Sequence, residues 1–281
     1  MTRATTISAF IVLVAVAASS QSVERPIALD WHEGGNLFVL DDAGRVAVYD
    51  VKQKRRIRVF VLERSIRPAD IVSAKIFNTE TVFVSGSYGR QSVVLQYSPE
   101  GVLLNRFDTP DLAAGMDIDP STHILYLASP VSRKIYSVSL EGKERRVRFL
   151  SYVGLAKTIG PLAFDQPRRR LLAGDVQSGA LYAVDIRNGE YKLIANGLGS
   201  PVALAFDKTF SILYVADYSN GRIQSLKLPA ATAATAWKTS MRDLSGVAPS
   251  SMPDSIFITD EKQGVFLLSI RTGQKSSIAN W

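Results

Sequence analysis

Short apolar runs that close on a small residue and then, most often, an aspartate recur along this chain. They read LFVLD to Asp41, VFVSG to Gly86, LYLAS to Ser129, LLAGD to Asp175, LYVAD to Asp217 and IFITD to Asp260. The separations between successive markers are 45, 43, 46, 42 and 43 residues. Upstream of each marker lies a second apolar stretch. In four copies it carries an acidic residue ten or eleven positions before the marker: Asp30, Asp119, Asp165 and Asp207. Downstream, RVAVYDV, SVVLQYS, KIYSVSL, ALYAVDI, RIQSLKL and VFLLSI alternate apolar and polar positions, the period of a half-buried strand. A weaker fourth stretch follows in several copies, as in RRIRVFV, LLNRF and RRVRFL. Asn188-Gly189 and Asn220-Gly221 supply the positive backbone angles of tight hairpins. Beyond the first twenty residues, helical spacing is suggested only near Ala230 to Lys238.

Four short strands repeated six times at a steady period of this length predict an all-β fold, a six-bladed β-propeller with four antiparallel strands per blade. Six such units consume residues 21–281. Either the closing KSSIANW completes the sixth blade, or the segment after residue 20 does so.

Composition narrows the setting. Arg3, the apolar run Ile7 to Ala18 and the small residues up to Ser20 have the anatomy of a signal peptide, so residues 1–20 are expected to be removed on export, with cleavage between Ala17 and Ser20. The run is too short to span a bilayer as a helix, and no later segment is apolar for long enough. A periplasmic or secreted protein is expected, stabilised by packing alone because the chain has no cysteine. The formal net charge is +7. Neither a basic amphipathic helix nor interleaved aromatics accompany it, so anionic surfaces are better partners than nucleic acid. The two histidines, His32 and His123, fall in different repeats, and neither stands beside a GxSxG serine. No phosphate-cradling glycine loop and no zinc spacing is present.

The stretch PVALAFDKTFSILYVADYSNGRIQSL (Pro201 to Leu226), with GALYAVDIRNG (Gly179 to Gly189), resembles the repeats of six-bladed NHL and YWTD-type propellers of the TolB-like superfamily. More distantly, the chain resembles the gluconolactonase and regucalcin family. That likeness implies a metal-dependent lactonase or esterase holding one divalent cation, such as calcium, at the channel mouth. Glu24, in VERPIALDW, matches the family's first ligand. The later ligand positions fall on Ala114-Gly115, Gly160-Pro161, Val202-Ala203 and Ser245-Gly246, which lack the family's Asn and Asp. One glutamate does not make a cation site, so no metal and no catalytic residue is assigned.

The expected site is the ring of loops between second and third strands, on the face where the blades connect. Tyr88, Arg90, Arg133, Tyr218 and Asn220 are its polar and aromatic candidates, with the segment Glu63 to Asp70 as a charged blade connection. The markers Asp41, Asp175, Asp217 and Asp260 border the same loops. They are read either as ligand contacts or as acceptors that lock their own turns. On the opposite face, Lys52, Lys54, Arg55, Arg56, Lys143, Arg145, Arg146, Arg168, Arg169 and Arg170 predict a basic rim. The function expected is an exported, monomeric, non-enzymatic module that binds a protein, glycan or small molecule. A metal-assisted hydrolase is the alternative.

Overall fold

The computed structural model describes residues 23–31, 35–63, 65–142, 144–279 and 281. The leader segment, His32 and Lys143 lie outside them. The described chain folds into six four-stranded antiparallel sheets, each built from strands in chain order. The first holds β1 (Pro26–Trp31), β2 (Leu37–Asp41), β3 (Arg45–Asp50) and β4 (Arg55–Val61). The second holds β5 (Ile66–Ile76), β6 (Thr79–Tyr88), β7 (Gln91–Tyr97) and β8 (Leu103–Thr109). The third holds β9 (Gly115–Asp119), β10 (Ile124–Ser129), β11 (Lys134–Ser139) and β12 (Val147–Tyr152). The fourth runs β13 (Ile159–Asp165), β14 (Arg170–Asp175), β15 (Ala180–Asp185) and β16 (Tyr191–Ala195). The fifth runs β17 (Pro201–Asp207), β18 (Ile212–Asp217), β19 (Arg222–Lys227) and β20 (Thr232–Lys238). The sixth runs β21 (Leu244–Pro249), β22 (Ser255–Asp260), β23 (Gly264–Ser269) and β24 (Lys275–Ser277).

The first strands of neighbouring blades touch in sequence all the way round, and β21 meets β1 to close the ring. This is the six-bladed propeller that the period predicts. Among the described residues, β24, within KSSIANW, completes the sixth blade. The seam between blades six and one is joined by side chains. Ser245 Oγ donates to the Pro26 carbonyl at 2.7 Å, and Arg25 pairs with Glu261 at 3.1 Å. Between blades the cores are apolar. The middle strands alternate so that, for example, Phe38, Leu40, Val82 and Val84 share one cluster across blades one and two, and Leu29, Val39, Ala248 and Phe257 share another across six and one. A single blade could not hide both of its apolar faces; each needs two neighbours.

Residues 232–238 form the outer strand of blade five, not a helix. The small side chains of TAATA lie exposed on the edge, while Trp237 turns inward toward Tyr214 and donates Nε1–H to the Ile270 carbonyl at 3.0 Å. Tertiary pairing with β19 decides the matter over the local alanine content.

Candidate functional site

The marker aspartates sit at the ends of the second strands, and all four are fully buried, with 0% exposure. Their oxygens are committed to the hairpins they terminate. Asp41 accepts from the Arg45 amide at 2.7 Å and its Nε at 2.6 Å. Asp175 accepts from the amides of Lys157 and Thr158 and from Ser178 Oγ. Asp260 accepts from the amides of Asp243, Lys262 and Gln263. Asp217 is the most heavily engaged. It accepts from Ser200 N, Ser219 Oγ, Asn220 N and Nδ2, Arg222 Nε and Gln224 Nε2. Burial alone would raise the carboxyl groups of Asp175 and Asp217; the converging donors outweigh it and hold both below the usual carboxylate range. These groups act as turn locks.

The exposed members of the expected site ring the same face. The Arg106 guanidinium covers the Tyr88 ring at 5.1 Å, and Arg90 lies exposed in the adjacent turn. Arg133 donates to the carbonyls of Gly154 and Ala156, and its other terminal nitrogen to the Tyr152 hydroxyl. Tyr218 is exposed, and Asn220 spends its amide nitrogen on Asp217 and Ser219. None of these side chains lines the cavity at the molecular axis.

That cavity, about 350 Å³, is walled by the six inner strands, and its lining extends to Trp31, Lys75, Pro120, Lys208 and Pro249 at the ends where those strands turn back. It is two-sided. Blades one to three present Asp30, Asp70 and Asp117 among apolar side chains such as Leu29, Ile71 and Met116; blades four to six present Pro161, Leu162, Val202, Leu204, Phe206 and Val247, with Ser245 and Lys208 as their polar members. Each carboxylate reaches to the next blade. Asp30 accepts from Ser73 N at 2.7 Å and Ser73 Oγ at 2.6 Å. Asp70 accepts from Ile71 N at 2.8 Å and, across the blade boundary, from Met116 N at 2.7 Å. Asp117 accepts from Ile118 N and Phe164 N, both at 2.6 Å. Burial, reinforced by the neighbouring carboxylates and opposed by these amide bonds, pushes Asp70 up to about 8 and Asp117 up to about 7.

Sequence reasoning missed this cluster for a reason of parity. Asp119 and Asp165 pair with the first residue of the next strand and are fully buried, where Asp119 holds Ser121, Thr122 and Arg169, and Asp165 holds Arg168 and Arg170. Asp207 binds the amides of Thr209 and Phe210 in the same way. Asp30 stands one residue further from its marker, and a one-residue step on a strand moves a side chain to the other face. Asp70 falls in the segment read as a blade connection; the structure places Ile66 to Asp70 in β5 instead.

At the boundary of blades three and four the inner strands approach closely. A Cβ on Gly115 would lie 2.1 Å from the Gly160 carbonyl oxygen and 2.8 Å from Pro161 Cα. Of the positions where the gluconolactonase likeness places cation ligands, Ala114, Pro161, Val202, Ala203, Ser245 and Gly246 line the cavity, whereas Gly115 and Gly160 do not. Only Ser245 offers a side-chain oxygen, and its hydroxyl is spent on Pro26 and Thr259. Glu24 lies at the surface, 3.5 Å from Arg45. A divalent cation requires several convergent oxygen donors; this set does not fit one. Among the described residues, no three His, Cys, Asp or Glu side chains converge as a ligand set.

On the face opposite the markers, the basic residues divide. Arg168 and Arg170 pair with Asp165, Arg169 with Asp119 and Arg146 with Glu144. Arg145 is tied to the Gly142 carbonyl and to Gln96, and burial lowers its pKa. Arg56 lies against Tyr49. Lys52, Lys54 and Arg55 are exposed on the turn between β3 and β4, where Arg55 bonds Gln53. Among the described residues, no helix is long and apolar enough to cross a membrane.

Comparison with known proteins follows this geometry. The model of a family described as "Lactonase, 7-bladed beta-propeller" matches residues 124–266. Among solved structures, a chain in the crystal structure of a nidogen/laminin complex superposes with a TM-score of 0.70 at 14% identity, covering 87% of this chain and 92% of that one. No curated protein matches the sequence.

Proposed function

Taking as premise that the chain belongs to the lactonase-type propeller family, here with six blades, we propose that it is an exported binding module that takes a small ligand into its axial channel. One observation carries this reading: the cavity's three carboxylates, Asp30, Asp70 and Asp117, all come from blades one to three, in a lining that is otherwise mostly apolar. A ligand with a positive end and an apolar body, such as an aliphatic amine, satisfies both at once. Cations and apolar bodies are recognised by concave sites of this size with a few placed polar groups. Asp70 and Asp117 would take up the positive end, and Leu204, Phe206 and Val247 the body. Because a bound cation favours the ionised carboxylates, binding releases protons and strengthens as pH rises toward 8.

Calorimetric titration with a series of alkylamines at pH 6 and pH 8 tests this. The expected result is tighter binding at pH 8, weakened about tenfold by Asp117→Asn, which removes a charge-assisted contact. Binding that ignores both pH and Asp117 would overturn the assignment. The family match favours a second reading, hydrolysis of lactones or esters. Turnover of a lactone panel, with and without added divalent metal, distinguishes it, and the wild-type protein is expected to show none.

A further inference from the structure

Blade two departs from the other five in one respect. Its first hairpin runs two ladder positions further past its marker than that of blade three, from Gly86 down to Thr79 against Ser129 to Ile124. Its turn is two residues long against four in blades three and five, so at the rise of a strand the tip stands roughly 3 Å further out. The tip is Phe77-Asn78, with φ of 48° and 64°, a two-residue turn in which Asn and Gly are the favoured residues. Phenylalanine there is strained, yet its ring stands 58% exposed. Strain kept at an exposed position points to use rather than to packing.

Both neighbours brace the hairpin. From blade one, Asn36 donates its backbone N–H and its Nδ2 to Glu80 at 3.0 and 2.9 Å. From blade three, the His123 ring lies tilted against Phe77 with centroids 4.0 Å apart. Three blades further round, on the opposite side of the ring, Phe210 tops the turn of blade five and is 64% exposed. Asp207 clamps that turn through the amides of Thr209 and Phe210, and Arg168 holds Ser211 at 3.1 Å.

We propose that this turn face docks on a bilayer carrying anionic headgroups, seated by Phe77 and Phe210 and held by the lysines around them. Lys52, Lys54, Lys75 and Lys208 are exposed on the same face. Some of its acidic groups meet local cations: Glu100 faces Arg58, Glu144 pairs with Arg146, and Asp185 with Arg187; Asp50 and Asp207 bind turn amides instead. The exposed lysines and the chain's net charge of +7 favour an anionic partner. Two aromatic tips on opposite sides of the ring give this face two separated points of contact. Rings buried at the headgroup boundary and lysines reaching the anions are the two components of interfacial binding. This inference does not rest on the channel ligand.

Co-sedimentation with vesicles of phosphatidylglycerol and phosphatidylcholine tests it. The wild-type chain should pellet with anionic vesicles, remain free with pure phosphatidylcholine, and be released as salt rises. Phe77→Asn suits the turn better than phenylalanine, so its melting temperature should hold or rise while vesicle partition falls about tenfold; Phe210→Ser should lower it by a similar factor. The double charge reversal Lys52→Glu, Lys54→Glu should weaken binding to anionic vesicles only. No pelleting at low salt would overturn the proposal. So would full binding by the Phe77→Asn, Phe210→Ser double variant, which would place any lipid contact elsewhere.

Discussion

Removing the carboxylate of Asp217 is the sharpest test of how each blade is held. Asp217→Ala strips the acceptor from the six donors that converge on it, in a site with 0% exposure. The Arg222 guanidinium would lose the carboxylate it pairs with, and the amides of Ser200 and Asn220 would face an apolar methyl group. The packing is equally committed: a Cβ on Gly199 would sit 2.0 Å from Asp217 Oδ1, so the preceding connection is moulded around the carboxylate. Breaking one partner of a buried, hydrogen-bonded charge pair costs about 3–5 kcal/mol. For a domain of this size that corresponds to a fall in Tm of roughly 6–20 °C. Blade three supplies the internal control. Its marker is Ser129, whose hydroxyl accepts a single long bond from Ser132 N at 3.4 Å, so Ser129→Ala should cost below about 1 kcal/mol. Thermal melts and urea titrations of the two variants side by side make the comparison. Equal losses, or none for Asp217→Ala, would refute the claim that the recurring aspartates are structural locks.

Three further outcomes follow from the inner strands. Gly115→Ala sets a methyl group against the Gly160 carbonyl at 2.1 Å and should lower the urea midpoint by an amount equivalent to at least ~2 kcal/mol; Gly160→Ala, which meets only the Val176 side chain at 2.7 Å, should cost less. Asp70 and Asp117 have carboxyl groups raised in the folded state to about 8 and about 7, so the stability they contribute is complete below pH ~4 and is lost as pH climbs through 7 and 8, at up to ~1.4 kcal/mol per pH unit for each group. A Tm that stays flat from pH 5 to pH 8.5 would contradict this, and Asp70→Asn should flatten the wild-type slope. Asp175 and Asp217 act with the opposite sign: their lowered carboxyl groups stabilise above the unfolded value near 4 and fail in acid, so maximal stability is expected near pH 5.

The blade plan was legible because strand alternation and turn residues are local signals that repeat. Asp41, Asp175, Asp217 and Asp260 marked the blades for the same reason: a carboxylate after the second strand is what the following turn needs. What faces the axis was not legible. It depends on which side of an inner strand a residue falls, and Asp30 differs from Asp119 only by a single step of register. Asp70 lay hidden because a charged, proline-containing stretch resembles a linker, whereas Pro68 sits at the bulge where β5 breaks register with β6. The polar loops around the markers drew attention as a site, yet much of their hydrogen-bonding capacity is consumed within their own turns. The basic rim was visible as charge, but its division into paired arginines and exposed lysines was not: Arg168, Arg170 and Arg146 find partners within five residues, whereas Arg169 reaches Asp119 in the preceding blade.

Because every sheet is spun from consecutive chain, a blade can be gained or lost as a single module without tearing a neighbour. The seam at Pro26 and Ser245 asks only for surface fit and two polar contacts, so the circumference is set by how many modules the gene supplies. A relative with one more module would keep this blade design and widen its bore, which is how a six-membered ring can stand in a family described by seven.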